Sequence, residues 1–570
     1  MKVSDYIVKF LIEKGITDTF GYPGGSVSHL LDSFDKYKGQ INAHVTYHEQ
    51  GAAFAAGAYA SVKGLPGVAY ATGGPGTTNL LTGMGHAYYD SIPVIFFTGD
   101  VNTNEARKSL PIRQRAFQES DNIAIVSPLS KYAVYVDDPE MIRYYLEAAY
   151  YHAMNGRRGP VVVNLPMDIQ RAEVDERLLK GFEPDDSSPY SDRGEYKEQL
   201  AVALRRAERP CLILGNGIKS SGMRALAKQA VEHMGIPYVT SMIAFDVLGD
   251  HPQNFGFIGA YGSRAANFIL AKCDLVISIG SRLDIRQVGV KRENFAPNAQ
   301  IFRVDIDAGE LEYKVHDDER SFCMTAEDAL QSILGISVPK NYSKWIFLCR
   351  EIAKKLCGYD DRLPNEYVKA LDDLLPEGVP ITTDVGQNQV WVPQSFELKS
   401  GQQVLFSGGM GSMGHALPAA IGAYYGSGGK ITCCICGDGG LQMNIQEMQY
   451  IAREDLPIKI IVFNNNALGM IRHFQEMYFD GRFFQTRPEG GYTAPDFTQI
   501  ASAYGIRSFF VNSPNELVQY RDVLQDQKAV LIEMRISENT YVVPKLEFGK
   551  PNQDQEPLLD RQLYDELMKL

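Results

Sequence analysis

The chain has 570 residues, 45% of them hydrophobic and 22% charged, a composition ordinary for a globular protein and long enough for three or four domains. A formal net charge of −13 argues against nucleic acid or an anionic membrane surface as a partner, while a diphosphate could still be met locally by a metal and backbone N–H groups. The eight cysteines show no metal-ligand spacing and no apolar run is long enough to span a bilayer, so a cytoplasmic protein is expected.

Residues 1–11 read as an amphipathic helix with Ser4 or Asp5 as its cap. Up to about residue 170, short β-rich runs at 19–21, 68–71, 94–97 and 161–163 alternate with helical stretches. That alternation predicts a parallel sheet with helices on both faces. Residues 185–189, Asp-Asp-Ser-Ser-Pro, read as a linker. A second alternating unit runs from 211–215 through 275–280 to about 335, and a charged passage at 354–364 leads into a third, from 381–384 to 530–533. The expected architecture is α/β, three doubly wound parallel-sheet domains over 1–175, 190–340 and 360–545, with an irregular polar tail at 546–570.

The most informative stretch is Gly437-Asp438-Gly439-Gly440, followed by Asn464-Asn465-Asn466. The apolar runs at 431–436 and 459–463 suit strands buried on both faces, with a helix over 444–450 between them. Asp438 and Asn465 would then stand at the carboxyl ends of two parallel strands, where α/β sheets bind ligands. Two hard oxygen ligands there suit Mg²⁺ shared with substrate phosphates. The plainer alternative is a helix-capping aspartate and an asparagine turn.

The paired spacing, with Leu468-Gly469-Met470 after it, resembles the thiamine diphosphate (ThDP) motif of the decarboxylase and acetohydroxyacid synthase superfamily. The resemblance implies Mg²⁺ held on the cofactor diphosphate by Asp438, Asn465 and the Ala467 carbonyl. Gly437, Gly439, Gly440, Leu468, Gly469 and Met470 fall in the same cofactor-binding stretch. Asp384-Val385-Gly386-Gln387-Asn388 resembles the family's diphosphate segment, with Asn388 in place of histidine and still able to donate to phosphate. Gly408-Gly409-Met410-Gly411-Ser412-Met413-Gly414 resembles the loop that bends the cofactor, the Gly411 carbonyl accepting from its amino group and Met413 wedging beneath it. A glycine turn with core methionines is the plainer alternative.

Phe20-Gly21-Tyr22-Pro23-Gly24-Gly25, the segment Tyr47-His48-Glu49-Gln50-Gly51 and the segment Gly73-Gly74-Pro75-Gly76-Thr77-Thr78-Asn79 resemble the pyrimidine-binding domain of this superfamily. Glu49 would hydrogen-bond the aminopyrimidine ring and relay the proton that lets the cofactor become nucleophilic; alone, it would read as a helix N-terminal carboxylate. In this family the first domain of one subunit faces the third of another, so self-association with active sites between subunits is implied.

The whole chain is most similar to the acetohydroxyacid (acetolactate) synthase catalytic subunit. Gly25, Phe117 and Gln118, the last two in Ala116-Phe117-Gln118-Glu119, would face the reacting carbons, and Arg286 would grip the acceptor carboxylate. Arg157, Gly215, Gly217, Tyr261, Gly262, Arg282, Asp284 and Asp305 match FAD-type segments, implying FAD in a non-redox role or a domain that has lost it. Two departures touch the acceptor: Phe474 replaces the family tryptophan, and Met167 replaces a lysine. The loop 102–115 is longer and carries Arg107, Lys108, Arg113 and Arg115, either a solvated face or a basic rim for a phosphorylated acceptor.

The implied function is a ThDP- and Mg²⁺-dependent decarboxylating carboligase that takes pyruvate and adds its two-carbon unit to an acceptor carbonyl. The alternatives are a nucleotide-linked keto sugar as acceptor, a plain 2-keto acid decarboxylase or C–C hydrolase, and a silent scaffold.

Overall fold

Short apolar runs, most of them buried on both faces, build three parallel sheets of six strands each. The computed structural model describes residues 1–184 and 190–570; the linker expected at 185–189 lies outside them. The first sheet holds β1 (Asp18–Gly21), β2 (Asn42–Val45), β3 (Gly67–Ala71), β4 (Val94–Asp100), β5 (Tyr132–Tyr135) and β6 (Pro160–Pro166), in the order β2-β1-β3-β4-β6-β5. The second holds β7 (Pro210–Leu214), β8 (Tyr238–Thr240), β9 (Asn254–Phe257), β10 (Leu275–Ile279), β11 (Gln300–Asp305) and β12 (Glu319–Cys323), ordered β12-β11-β10-β7-β8-β9. The third holds β13 (Pro380–Thr383), β14 (Gln403–Leu405), β15 (Thr432–Gly437), β16 (Ile458–Asn464), β17 (Arg507–Val511) and β18 (Val530–Arg535), ordered β14-β13-β15-β16-β18-β17.

The first and third sheets share one connectivity, whereas the middle sheet has that of a dinucleotide-binding fold. Strand order reverses between β13 and β15 in the third sheet and between β7 and β10 in the second. Those two reversals open crevices at the carboxyl ends of the strands.

Within one chain the first and third domains meet through two helices of small residues, Glu49–Lys63 and Ala416–Gly426. Their backbones approach so closely that a Cβ on Gly422 would lie 1.9 Å from the Ala55 carbonyl oxygen. Beside them Asp90 accepts from the Gly408 and Gly409 N–H groups, at 2.9 and 2.7 Å, and pairs with His86 at 3.0 Å.

Three local expectations are corrected. The first helix is Val3–Glu13, so Ser4 and Asp5 lie inside its first turn, buried and bonded to the Ser33 hydroxyl at 2.8 and 2.9 Å rather than capping. The helix expected over 444–450 is two: Asp438–Met443, which starts on the motif aspartate, and Glu447–Arg453. The chain breaks between them at Asn444, whose amide donates to the Gly414 carbonyl and to Gln50 Oε1.

The tail is not irregular. Asp560 caps a helix over Arg561–Lys569 by accepting from Leu563 N–H at 3.1 Å, and Leu567 buries against the middle domain. Ahead of it, Leu546 N–H donates to Ala260 O at 2.7 Å, and Arg264 clamps the Gln555 and Pro557 carbonyls at 2.9 and 2.7 Å. Leu563, Tyr564 and Leu567 recur at helical spacing and face that core, a periodicity masked by the polar composition of the tail.

Gly422→Ala should cost about 1–3 kcal/mol, because the new methyl meets backbone that cannot turn aside. Thermal unfolding followed by calorimetry checks this, and an unchanged melting temperature would refute the close helix contact.

Candidate active site

The third-domain crevice is organised by a buried carboxylate whose oxygens accept from backbone N–H groups. Asp384, at the end of β13, accepts from the N–H groups of Val385, Gly414 and Ala416 at 2.9, 3.0 and 2.9 Å. Burial, opposed by these donors, lifts its pKa to about 6. These bonds pin the loop 412–416 to the sheet, and a Cβ on Gly440 would stand 2.4 Å from the Asp384 carboxylate. In the same loop Gly411 has φ +67° with open space where a side chain would point. The Met413 methyl lies 3.1 Å from where a Gly439 Cβ would be, against the first turn of the helix Asp438–Met443.

Asp438 and Asn465 follow neighbouring paired strands, β15 and β16, as expected. Asp438 Oδ1 accepts from Gly439 N–H at 2.7 Å. Asp438 Oδ2 and Asn465 Oδ1 both lie 3.2 Å from the Ala467 N–H, so two side-chain oxygens converge on one point beside the Ala467 backbone. Asp438 has no ion-pair partner among the described residues, and burial raises its pKa to about 6. The Tyr492 hydroxyl stands beside Gly439; burial first, then the Asp438 charge, raises its pKa. A hard cation is what such a donor set fits.

Gln387 braces this cluster: its Oε1 accepts from Asn465 Nδ2 at 2.9 Å while its Nε2 donates to Thr540 O at 2.8 Å. A Cβ on Gly469 would lie 2.0 Å from Gln387 Oε1. Leu468, the cap of the helix Gly469–Tyr478, donates its N–H to Thr486 O at 2.9 Å, and Met470 packs on the third-domain core. Gly386 and Gly437 sit at the ends of β13 and β15 around Asn388 Oδ1, 3.1 and 3.4 Å from where their Cβ atoms would be. The Asn388 amide, expected to donate to a phosphate, instead donates to the Asp384 and Ile435 carbonyls at 2.8 and 3.3 Å, joining β13 to β15.

In the first domain Glu49 opens the helix Glu49–Lys63, with His48 as its cap. Its buried carboxylate accepts from Asn79 Nδ2 at 2.9 Å and lies 3.2 Å from where a Gly76 Cβ would stand, both within the Gly-rich segment read as its companion. Gly25 opens a turn after β1 with nothing near its would-be Cβ. Phe117 is 87% exposed and Gln118 has φ +62°, on a loop held by Glu119, which accepts from the N–H groups of Arg107, Arg115 and Ala116. Arg107 and Arg115 donate to carbonyls of that loop, at Ile112, Asn104 and Ala106, so two of its four cations are tied to the loop itself.

The crevice at β7 and β10 is a cavity of about 390 Å³ lined by Arg157, Gly217, Tyr261, Arg282, Asp284 and Asp305, among others. A Cβ on Gly215 would meet the Gly280 carbonyl at 2.0 Å, so the two turns touch backbone to backbone. Gly262 accepts from Gln555 Nε2 at 3.0 Å, and Arg157 pairs with Asp307 and Glu310 at 2.8 and 2.7 Å, linking the first domain to the second. Arg286 is exposed, its guanidinium 5.9 Å from the Tyr261 ring. Phe474 lies 4.7 Å from the Tyr478 ring, one turn along their helix.

Glu447 escaped the sequence reading. It is fully buried between the first and third domains, and its Oε1 accepts from Tyr47 N–H at 2.9 Å, two residues before Glu49. Burial raises its pKa from 4.5 to about 8. The folded carboxyl therefore keeps its proton where the unfolded one has lost it. This contribution to stability is full below pH 4.5 and is lost as pH rises through about 8. Glu447→Gln should flatten the fall in melting temperature between pH 6 and 9, and equal slopes in the two proteins would refute the assignment.

Residues 1–125 match the family described as "Thiamine pyrophosphate enzyme, N-terminal TPP binding domain", residues 198–333 its central domain and residues 384–534 its C-terminal TPP binding domain. The chain is 34% identical to the acetolactate synthase large subunit of Lactococcus lactis subsp. lactis, over 96% of this chain and 94% of that one. It is 33% identical to the acetolactate synthase isozyme 2 large subunit of Escherichia coli, over 97% and 99%, and 35% identical to a probable acetolactate synthase large subunit of Methanocaldococcus jannaschii, over 91% and 88%. Among the described residues no helix is long and apolar enough to cross a membrane. The two crevices, the shared connectivity of the outer sheets and these full-length similarities lead to one conclusion: the chain belongs to the thiamine pyrophosphate enzymes, among the relatives of the acetolactate synthase large subunits, and is an enzyme of the carboligase type.

Proposed function

We propose that the enzyme decarboxylates pyruvate and joins the remaining two-carbon unit to a second carbonyl compound, a second pyruvate giving acetolactate. The observation that carries this reading is the convergence of the Asp438 and Asn465 oxygens beside Ala467 at the third-sheet crevice. The reaction balances without an oxidant. Carbon dioxide leaves, the freed electron pair forms the new C–C bond at the acceptor carbonyl carbon, and the acceptor oxygen takes up a proton. Thiamine diphosphate, when bound, supplies the electron sink for that pair.

Asp438, Asn465 and the Ala467 carbonyl would hold Mg²⁺, with Gln387 fixing the Asn465 amide. The Gly411 carbonyl, freed by its left-handed backbone, would accept from the cofactor amino group, and Met413 would support the bend. Glu49, with Asn79 on one oxygen, would exchange a proton with the aminopyrimidine nitrogen through the other. Glu49 makes its side-chain contacts within the first domain, which supports an arrangement in which Glu49 of one chain completes the Asp438 cluster of another. The exposed Phe117 is consistent with burial in such a pairing.

Arg286 would take the acceptor carboxylate. The glycine-lined crevice of the middle domain suits FAD, and because the balanced reaction moves no electrons to it, the flavin would be structural. With Arg107 and Arg115 committed to loop carbonyls, the loop 102–115 offers no particular support for a keto-sugar acceptor. A cytoplasmic location fits the reducing conditions that eight free cysteines require.

Incubation with pyruvate, ThDP and Mg²⁺ should give acetolactate by mass spectrometry, and carbon dioxide with acetaldehyde alone would sink the carboligase reading. Glu49→Gln should slow turnover by roughly 10²–10⁴-fold with the protein still folded. Asp438→Ala should abolish the metal requirement together with activity, and full activity in excess chelator would argue against the metal assignment.

A further inference from the structure

One buried cation has no assigned task. Lys545 is only 7% exposed, yet its ammonium has no hydrogen-bond or ion-pair partner among the described residues. It lies 6.0 Å from the Phe474 ring centre, and burial alone lowers its pKa to about 8. A lysine whose side chain is this buried without a carboxylate partner is a ready place for an anion to come to.

The place is specific. Leu546 N–H donates to Ala260 O at 2.7 Å, and Ala260 N–H donates to Arg286 O at 2.8 Å, so a backbone ladder joins the loop bearing Lys545 to the turn bearing Arg286. Arg286 likewise has no carboxylate on its guanidinium among the described residues. Beside Lys545 stands an aromatic wall: Phe474 lies 4.7 Å from Tyr478, and Tyr478 5.3 Å from Phe548, which is 67% exposed. Phe474 sits five residues along the helix Gly469–Tyr478 that begins beside the metal-binding cluster, about 7.5 Å from its start.

We propose that Lys545 is a second anion-binding residue of the acceptor site, so that the preferred acceptor is a carbonyl compound with two anionic groups, one for Arg286 and one for Lys545. This rests on the carboligase reading and narrows its acceptor. The second anion is a carboxylate, as in a 2-keto dicarboxylate, or a phosphate, as in a phosphorylated ketone. The other charged and titratable groups around Lys545 do not compete for it. His473 stacks on Tyr541 at 4.3 Å and is kept neutral, its pKa lowered to about 4 by burial and then by Lys545, and Glu476 bonds the Tyr541 hydroxyl. Glu556 meets Lys545 only through the backbone bridge.

Carboligation from pyruvate should be measured with 2-oxoglutarate, dihydroxyacetone phosphate and 2-oxobutyrate as acceptors. The dianionic acceptors should be preferred, and whichever of the first two wins identifies the second group. Lys545→Met should lower that preference roughly ten- to a hundredfold, chiefly through KM, and Lys545→Arg should restore most of it. An unchanged preference in Lys545→Met, or a wild type that prefers 2-oxobutyrate, would overturn the proposal while leaving the carboligase reading intact. Loss of ligation with every acceptor would instead count against the carboligase reading. A binding readout is independent of turnover: 2-oxoglutarate or inorganic phosphate should protect Lys545 from acetic anhydride, read by peptide mass spectrometry, where chloride at equal ionic strength does not. Equal labelling under all three conditions would overturn the proposal.

Discussion

A carboxylate buried without a cation must be satisfied by N–H donors or by a ligand, and two such carboxylates line the third-domain crevice. Asp384 has three backbone donors and spends them on holding the glycine loop to the sheet. Asp438 has two, one of them shared with Asn465, and no cation of the chain reaches it. Both pKa values are raised by burial, but only Asp438 keeps acceptor capacity that a metal would complete. The first carboxylate builds the crevice and the second is left to serve the function proposed for it. Shape and reactivity are therefore separable at this site.

The connectivity of the three sheets explains where the crevices lie. Strand order reverses between β13 and β15 and between β7 and β10, and at such a reversal the connecting helices leave on opposite faces, so the carboxyl end of the sheet opens. In the third sheet the two strands flanking the reversal end in Asp384 and Asp438, and in the second they end at Gly215 and Gly280. Outer sheets of matching connectivity are joined within the chain by two helices whose small residues bring the backbones together. That contact leaves Glu49 at the domain boundary with Glu447 holding the backbone just before it.

The fold class was legible in the sequence because central parallel strands are continuous apolar runs: 161–163, 275–280 and 459–463 could hardly be anything else. The paired Asp438 and Asn465 were legible for the same reason, since each follows such a run. What escaped was held by long-range or local polar contacts that carry no periodicity. Ser4 and Asp5 looked like caps because their partner, Ser33, is remote in sequence. Asn388 looked like a phosphate donor because its acceptors are backbone carbonyls. Glu447 and Lys545 are single charges in unremarkable segments, and only their burial sets them apart. The tail misled because its docking depends on Arg264, nearly three hundred residues earlier.

The side proposed for the acceptor is built differently from the side proposed for the cofactor, and the difference bears on how selectivity can change. Around Asp438 the contacts are backbone groups and short side chains, where nearly every added atom collides, as at Gly440 and Gly469. Around Phe474 the walls are long side chains from three separate elements: the helix Gly469–Tyr478, the turn of Arg286 and the loop after Pro544. The last two are joined by the Leu546–Ala260–Arg286 backbone ladder and by the Asn552 amide, which donates to the Gln287 carbonyl at 2.8 Å, and the loop carries Lys545 and Phe548. Substitutions in that loop can thus alter which acceptor is held while the oxygens that converge beside Ala467 stay fixed, because those oxygens are held by Gln387 and the Ala467 backbone rather than by the loop.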